Sequence, residues 1–420
     1  MVVQIPERRW RLGLGVIVLL ALAVRIAVAL TVPEIAGPDA GRYHGAALDL
    51  VEGRGFRVTD SGPLYPAFLA AIYTVFGPGN VRAVQAVQCL GWAAAVGLIG
   101  LIGRRLFDPM TGWLAAGFAA LYPPFIKYKF FGGSTYYATE NLFAWLLLAG
   151  VWWLVAEEEL GWRHAIGAGV ALGLATLTRP TVLLIPAVVA AWGLLRHPLA
   201  IRHWAVSLIA FTVAMWLVID PWALRNAQVY GAFVPVAPMT GLPLFGGNNL
   251  YSGGDWVDAS DAPEYRGLRQ ITDPVEQDRA YVRTAVEFWR GLTPAQHLKR
   301  LVKKLFLFWT DFGGSYNAAY GFMVPWAFVG MWAVWSNHRA RLLTLLVAYT
   351  LGICLIVYAT ERMRFPIEPY LILLASAGVM WFVRRFQRRM IPCAVLAGWA
   401  ALDISLIWLW PLLSRAINFV

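Results

Sequence analysis

A long apolar segment leads directly into a polar one at residues 10–43, WRLGLGVIVLLALAVRIAVALTVPEIAGPDAGRY. The apolar part is long enough to cross a bilayer core of about 30 Å as one α-helix. The polar part that follows carries an acidic residue, Asp39. The chain therefore begins with a predicted membrane helix that places a carboxylate just outside the bilayer.

The composition of the whole chain agrees with this beginning. Of its 420 residues, 59% are hydrophobic and 14% are charged, and the mean hydropathy is +0.59. Soluble domains hold about 45–50% apolar and about 25% charged residues. The excess apolar surface must face lipid, which excludes a disordered chain, a secreted disulfide scaffold and a conventional soluble enzyme.

Apolar runs recur along the chain and predict an all-α polytopic membrane protein with about eleven transmembrane helices. These runs lie at 11–31, 80–103, 110–126, 137–156, 163–178, 181–195, 203–220, 319–335, 342–359, 366–383 and 391–412. Cytoplasmic loops collect Lys and Arg, and the N-terminus and every second connection carry arginines here. The N-terminus is therefore predicted to be cytoplasmic and the C-terminus outside, and the first helix is read as an uncleaved anchor.

Two long polar segments on the predicted outer face divide the chain into three parts. The parts are an N-terminal transmembrane module with a first outer loop at 32–79, an outer (periplasmic) region, and a C-terminal transmembrane module, at residues 1–220, 221–318 and 319–420. Short helices are predicted within the polar segments at 40–52, 67–76 and 295–309. The first two suit interfacial helices because 67–76 is too short to span, and the third is basic and amphipathic, which suits the headgroup plane.

Several common chemistries are missing from the sequence. It has no Gly-x-x-x-x-Gly-Lys-Ser/Thr phosphate loop, no Gly-x-Gly-x-x-Gly after a strand, and no His-Glu-x-x-His. The three cysteines lie in apolar runs, which is typical of small buried hydrophobes. We therefore expect no metal site and no cofactor. The net charge of +11 does not indicate a nucleic-acid partner, because the basic residues cluster where a membrane protein places them.

Two carboxylates near the predicted outer surface are candidates for catalysis. Asp39 could take a proton from an acceptor hydroxyl, but it could equally cap the helix that begins at Ala40. Glu140 begins the fourth span, where a carboxylate costs about 2.5–3.5 kcal/mol on insertion scales. It is expected either to line a polar cavity with a partner or simply to be a helix-start acid favoured by the helix dipole.

Cations outnumber the acids at the same predicted surface. Arg179 lies at a helix break before Pro180, where its guanidinium could bind phosphate oxygens through two hydrogen bonds. Snorkelling to the interface is the alternative role for these side chains. The candidates for phosphate binding are Arg82, Lys127, Lys129, Arg179, Arg362 and Arg364. Such a charge pattern favours a phosphorylated lipid headgroup as ligand.

A series of short motifs accompanies these candidates in a fixed order. In chain order they are Asp39 with Tyr43, Gly53-Arg54-Gly55-Phe56, Pro63-Leu64-Tyr65-Pro66, Thr139-Glu140-Asn141-Leu142-Phe143, Leu177-Thr178-Arg179-Pro180, Pro221-Trp222 with Arg225-Asn226, Gly247-Asn248-Asn249 and Arg364-Phe365-Pro366. Their order resembles the bacterial GT-C glycosyltransferases and is similar above all to the protein O-mannosyltransferases and the lipid A aminoarabinose transferase. The specificity of the resemblance lies in the order, since no single motif is diagnostic.

The resemblance implies a GT-C fold and a transferase at the outer face of the inner membrane. Its donor would be a polyprenyl-phosphate-linked sugar, and its acceptor a hydroxyl of an envelope glycan, lipid or protein. It further implies that Asp39 is the catalytic base, that Glu140 helps to shape the site, and that Arg82 approaches the donor phosphate. Further substrate contacts are expected from Arg42, Tyr43, Tyr65, Arg225, Asn248 and Asn249.

Two positions depart from the family's pattern. The aminoarabinose transferase has a phosphate-binding lysine before the proline of the first loop, whereas this chain has Gly62 before Pro63. The usual Asp-Glu pair is reduced to Asp39-Ala40. Phosphate binding is then left to the other cations.

Two functions fit a site for a phosphorylated headgroup. In the preferred hypothesis, Asp39 deprotonates the acceptor while it attacks the anomeric carbon with inversion, and cations hold the departing phosphate. The alternative is a transporter or flippase of lipid-linked sugars. A transporter needs polar groups near mid-membrane and often two similar halves, whereas here the charges gather at the outer end and no internal repeat is visible.

Overall fold

The computed structural model describes residues 5–32, 39–56, 61–127, 133–196, 201–310, 317–386 and 390–417. The regular structure within these ranges is helical throughout. The helices up to residue 230 are α1 (Glu7–Ala29), α2 (Ala40–Val51), α3 (Leu64–Phe76), α4 (Val81–Leu106), α5 (Pro109–Leu121), α6 (Pro123–Ile126), α7 (Thr139–Leu154), α8 (Trp162–Thr178), α9 (Ile185–Arg196) and α10 (Ile201–Tyr230).

The remaining helices form the outer region and the C-terminal part of the bundle. They are α11 (Gly241–Gly246), α12 (Arg266–Gln270), α13 (Pro274–Arg290), α14 (Pro294–Trp309), α15 (Ala318–Ala333), α16 (Arg341–Ile356), α17 (Glu361–Arg364), α18 (Glu368–Arg385) and α19 (Met390–Ile417). Two single 3-10 turns, at Pro180–Val182 and Phe365–Ile367, precede α9 and α18. The all-α prediction is confirmed.

Each predicted apolar run contains a helix. Within the described ranges, four helical stretches are long and apolar enough to cross a membrane, namely Glu7–Ala29, Val81–Leu106, Trp204–Tyr230 and Glu361–Arg385. Shorter apolar helices accompany them, as in a multi-pass membrane protein, and the count of about eleven spans stays a prediction. One boundary differs, because α10 continues through Pro221 and ends only before Gly231, whose positive φ of 63° stops the helix.

Arginines that orient the predicted topology meet at one end of the bundle. Arg339 donates a 3.0 Å hydrogen bond to the carbonyl oxygen of Val155, just after α7. Arg384, in the last turn of α18, forms a 2.9 Å ion pair with Asp108, which precedes α5. Helix ends that the charge pattern assigns to one side of the membrane therefore do lie together.

Glycines permit the closest contacts between helices. Where α8 packs on α10, a Cβ added at Gly169 would lie 2.4 Å from the carbonyl oxygen of Phe211. Where α15 packs on α18, a Cβ added at Gly330 would lie 1.8 Å from the carbonyl oxygen of Leu374. Lipid supplies no hydrophobic force between helices, so close backbone packing of this kind stabilises the bundle.

The first outer segment folds into the short helix pair α2 and α3. The two helices pack on each other and on the start of α4 around a buried group that includes Tyr43, Tyr65, Tyr73 and Val84. α3 is 13 residues long and begins at Leu64, three positions before the predicted start, because Pro63 fits the N-cap position. This aromatic packing fixes the start of α2, and with it Asp39.

The amphipathic helix α14 is present, and a capping box of Thr293 and Gln296 begins it. One of its lysines does not lie in a headgroup plane. Lys304 is buried, and its Nζ donates to the carbonyl oxygens of Leu355 and Val357 at 3.1 and 2.9 Å. Burial lowers the pKa of Lys304 to about 8, so the ammonium remains charged at neutral pH. The ammonium caps the C-terminal end of α16.

Lys304→Met is expected to destabilise the fold, because it removes the side-chain donor of the Leu355 carbonyl oxygen and leaves those of Ile356 and Val357 with Asn248 alone. An unpaired buried acceptor costs about 1–3 kcal/mol. Thermal unfolding in detergent, followed by tryptophan fluorescence, should therefore begin at a lower temperature. The neighbouring exposed residue provides the matched control, Lys303→Met, which should melt with the parent protein. Identical melting of both variants would contradict the cap.

Candidate active site

Asp39 occupies the N-cap position of α2, yet its carboxylate makes no capping hydrogen bond. Oδ2 accepts from Nη2 of Arg362 at 2.6 Å, and Oδ1 accepts from Nη2 of Arg42 at 3.1 Å. The carboxylate therefore faces two guanidinium groups instead of the free amides of its helix. This geometry is unlike a simple cap.

Glu140 lies in the first turn of α7, and its side chain is completely buried. Oε1 accepts from Nη1 of Arg179 at 2.5 Å and from Nε of Arg362, and Oε2 accepts from the hydroxyl of Thr139 at 3.2 Å. Removing one partner of a buried ion pair costs about 3–5 kcal/mol. A charged Glu140 therefore depends on these arginines. Its ion pairs hold it more firmly than a helix dipole alone holds an acid in the first turn.

Arg362 joins the two carboxylates. It lies in the single turn α17, and its guanidinium contacts Asp39 of α2 and Glu140 of α7 at the same time. Together with Arg42 and Arg179, these residues form what we call the ion cluster. Among the described residues, the cluster brings three guanidinium groups and two carboxylates together at one place.

The two carboxylates differ in accessibility. The side chain of Asp39 is 27% exposed, whereas that of Glu140 is 0% exposed. A substrate hydroxyl can therefore reach Asp39 but not Glu140. Glu140 contacts its surroundings through the arginines that it holds. The shaping role that the resemblance implies for it stays a prediction.

Gly62 has no room for a side chain. A Cβ added there would lie 2.3 Å from the carbonyl oxygen of Leu177 and 2.7 Å from that of Thr178. This is the backbone that leads directly into Arg179. The end of α8 therefore occupies the volume that a side chain at position 62 would need, and the next residue, Arg179, pairs with Glu140.

Tyr43 and Tyr65 lie beside the ion cluster and are buried. Their rings meet edge to face at 5.2 Å, and the guanidinium of Arg42 lies 4.9 Å from the ring centre of Tyr43. Burial raises the pKa of the Tyr43 hydroxyl, so it stays protonated. Both tyrosines support the position of Arg42 and Asp39.

A buried polar network that the sequence did not reveal holds the start of α7. The side-chain amide of Asn141 donates to Oε1 of Gln88 at 2.9 Å, and its Oδ1 accepts from the indole of Trp92 at 3.0 Å. Gln88 also accepts from the hydroxyl of Tyr65 at 3.3 Å. The sequence does contain one signal of this network, because Gln88 is a polar residue inside the predicted apolar run 80–103. The network fixes the residue next to Glu140.

Two predicted phosphate ligands are bound to backbone away from the ion cluster. Arg82 donates to the carbonyl oxygen of Ala29 at the end of α1, at 2.8 Å. Arg364 is buried, donates to the carbonyl oxygen of Phe308 at 2.6 Å and pairs with Glu368 at 3.1 Å. Phosphate binding by these two residues stays a prediction, and their contacts favour a structural role.

The other candidates also lie apart from the ion cluster. Arg225 donates to a carbonyl of the first outer segment, and Asn248 and Asn249 are buried and donate to carbonyls of neighbouring turns. Lys127 is exposed, and its side chain forms no hydrogen bond or ion pair with the described residues. Lys129 lies outside the described residues. Within the described part of the chain, no group of three or more His, Cys, Asp or Glu residues is arranged to hold a metal ion.

Comparison with known proteins identifies the fold of this chain. Residues 60–223 match the family model described as dolichyl-phosphate-mannose-protein mannosyltransferase. The oligosaccharyltransferase of Archaeoglobus fulgidus in its apo form superposes with a TM-score of 0.60 at 12% identity, covering 98% of this chain and 56% of that chain. The chain has the GT-C fold.

The same archaeal enzyme, AglB, in complex with an inhibitory peptide and a dolichol-phosphate gives the same TM-score and coverage at 13% identity. The chain thus spans little more than half the length of these structures. ArnT from Cupriavidus metallidurans bound to undecaprenyl phosphate aligns at 17% identity, over 87% of this chain and 77% of that chain, with a TM-score of 0.43. A comparison with curated proteins finds no match. The resemblance to the GT-C group that the motif order indicated is confirmed.

Gly62→Ala is expected to disturb the ion cluster, because the added methyl group would press on the backbone before Arg179. Overpacking of this kind costs about 1–3 kcal/mol. Melting temperature in detergent should fall, and so should any activity that depends on Arg179. Gly45→Ala in α2 is the matched control, since an added Cβ there meets nothing within 4 Å. A Gly62→Ala variant as stable and active as Gly45→Ala would refute the contact.

Proposed function

We propose that this protein is an inverting membrane glycosyltransferase that moves a sugar from a polyprenyl-phosphate donor to a hydroxyl of an envelope glycan, lipid or protein. We further propose that it acts at the outer face of the inner membrane. The observation that carries the proposal is the guanidinium of Arg362 shared by Asp39 and Glu140. The match to a mannosyltransferase family model and the GT-C fold support it.

Donor binding requires a site for a phosphate. Arg362 and Arg179 present guanidinium forks, which suit phosphate oxygens because each can donate two parallel hydrogen bonds. Both side chains are partly exposed, at 23% and 18%, so a ligand can reach them without leaving Glu140 unpaired. We assign the donor phosphate to these two arginines.

Asp39 is expected to change partners when the donor binds. Each of its oxygens accepts one hydrogen bond from an arginine, Oδ1 from Arg42 and Oδ2 from Arg362. A donor phosphate that binds Arg362 competes with Oδ2 of Asp39 for the same N–H group. Donor binding then frees one oxygen of Asp39 for the acceptor hydroxyl, so that the base becomes available once the donor is in place.

The transfer itself follows from these positions. The acceptor oxygen attacks the anomeric carbon while its proton passes to Asp39, and the bond from that carbon to the phosphate oxygen breaks. The electron pair of this bond remains on the phosphate, whose growing charge Arg362 and Arg179 stabilise. The phosphate is a good leaving group, so the scheme needs no general acid. In-line attack inverts the configuration of the sugar.

Asp39→Asn is expected to abolish transfer, because an amide cannot accept the acceptor proton. Loss of a general base lowers rates by about 10²–10⁴-fold. The assay incubates purified protein with a polyprenyl-phosphate sugar and an acceptor and measures released polyprenyl phosphate. The matched control is Asp49→Asn in α2, where the carboxylate pairs with Arg54 outside the ion cluster. A transporter would release no polyprenyl phosphate in any variant, and an active Asp39→Asn protein would remove Asp39 from the mechanism.

Arg362→Met is expected to weaken donor binding and to slow turnover, and also to lower the melting temperature because it removes one partner of the buried Glu140. Loss of a charged hydrogen-bond donor costs about 1.5–3 kcal/mol, or about ten- to hundredfold in kcat/KM for the donor. Steady-state kinetics with varied donor should show a raised KM as well as a lower kcat. Arg364→Met, two positions along and buried, should reduce the melting temperature while the folded enzyme keeps its donor KM. If Arg364→Met instead raises the donor KM and Arg362→Met leaves it unchanged, the donor phosphate binds Arg364.

A further inference from the structure

A charged cavity lies in the outer region, apart from the ion cluster. It has a volume of about 640 Å³ and opens between α13, α14 and the segment that precedes α12. Its lining includes Gly253, Glu287, Phe288, Lys299, Arg300 and Lys303. Three of these side chains are cationic and one is acidic, so the cavity suits an anion.

The cations of the cavity differ in how they are held. Arg300 donates to the carbonyl oxygen of Ser252 at 2.8 Å, and its guanidinium lies 4.7 Å from the ring centre of Phe288. Lys299 and Lys303 lie one helical turn apart. Their side chains form no hydrogen bond or ion pair within the described ranges of the chain. Arg300 therefore shapes the wall, and the two lysines are available to a ligand.

Gly253 gives Lys303 its place in the cavity. A Cβ added at Gly253 would lie 2.3 Å from Nζ of Lys303. The ammonium of Lys303 therefore lies against the backbone of Gly253 on the opposite wall of the cavity. The lysine reaches across the mouth of the cavity while its side chain remains exposed.

An exposed apolar stripe runs along α14 beside these lysines. Leu298, Leu301, Val302 and Leu305 are 63%, 42%, 56% and 43% exposed. Their spacing of three and four residues places them on one helix face. Lys299 and Lys303 follow this face at its edge, so apolar surface and positive charge adjoin as they do in helices that lie at a lipid interface.

The end of α14 also reaches the membrane helices. The ring of Trp309 lies 4.5 Å from that of Phe328 in α15, which is itself 47% exposed. Lys304, in the same helix, caps the end of α16. The apolar stripe therefore lies at the level where the apolar helices end and continues onto their exposed surface.

We propose that this cavity binds the phosphate headgroup of an anionic membrane lipid, with the phosphate between Lys299 and Lys303 and the acyl chains along the apolar stripe of α14. The stripe and the charge together select a lipid over a soluble phosphate. This site is separate from the transfer reaction and does not depend on the proposed function.

The test titrates the purified full chain in detergent with phosphatidylglycerol and with phosphatidylcholine of the same acyl chains, and counts bound lipid by native mass spectrometry. The parent protein should retain phosphatidylglycerol in preference to phosphatidylcholine. Each lysine near a lipid surface contributes about 1 kcal/mol, so Lys299→Ala/Lys303→Ala should weaken the first phosphatidylglycerol site about tenfold or more. Arg279→Ala/Arg283→Ala removes the same charge from exposed positions of α13 and should bind like the parent.

Several outcomes would overturn the proposal. Equal retention of both lipids by the parent, or unchanged phosphatidylglycerol binding by the double lysine variant, would leave no headgroup site. Displacement of the lipid by glycerol phosphate at equal concentration would assign the cavity to a soluble phosphate. Melting of the double variant with the parent shows that the fold is intact, and Lys299→Gln/Lys303→Gln replaces it if the alanine variant melts early.

Discussion

The site depends on one guanidinium group that two carboxylates share. Arg362 holds the exposed Asp39 and the buried Glu140 at once, and it comes from a single helical turn between two long helices. A buried carboxylate is stable only when cations pair with it, so Glu140 and its arginines hold α7, the end of α8 and α17 together. Asp39, which pairs with Arg362, adds α2 to this contact. Four separate parts of the chain are thereby brought together at one end of the bundle.

This arrangement separates two roles that the residue types alone do not distinguish. Glu140 has the burial and the partners of a positioning group, and Asp39 has the access that a base needs. The same contrast applies to the arginines. Arg362 and Arg179 are partly exposed, whereas Arg364 is buried and bound to Glu368 and to backbone. Burial and partner, more than charge, thus indicate which groups can meet a substrate.

Much of the fold could be predicted from the sequence, because membrane helices are local features of hydropathy and length. Asp39, Glu140 and Arg179 could also be selected locally, from acids and cations at helix ends. The pairing of Arg362 with Asp39 could not, since the two are separated by 323 positions in the chain. Lys304 shows the same limit: its helix has an amphipathic pattern, and only the distant end of α16 turns that lysine inward.

The close contact at Gly62 has a consequence for how such sites can diverge. One volume holds either a first-loop side chain or the backbone that introduces Arg179, and it cannot hold both. A side chain at position 62 therefore requires the end of α8, and with it Arg179, to move. Substitutions in these two distant segments are accordingly coupled, because both segments share one volume.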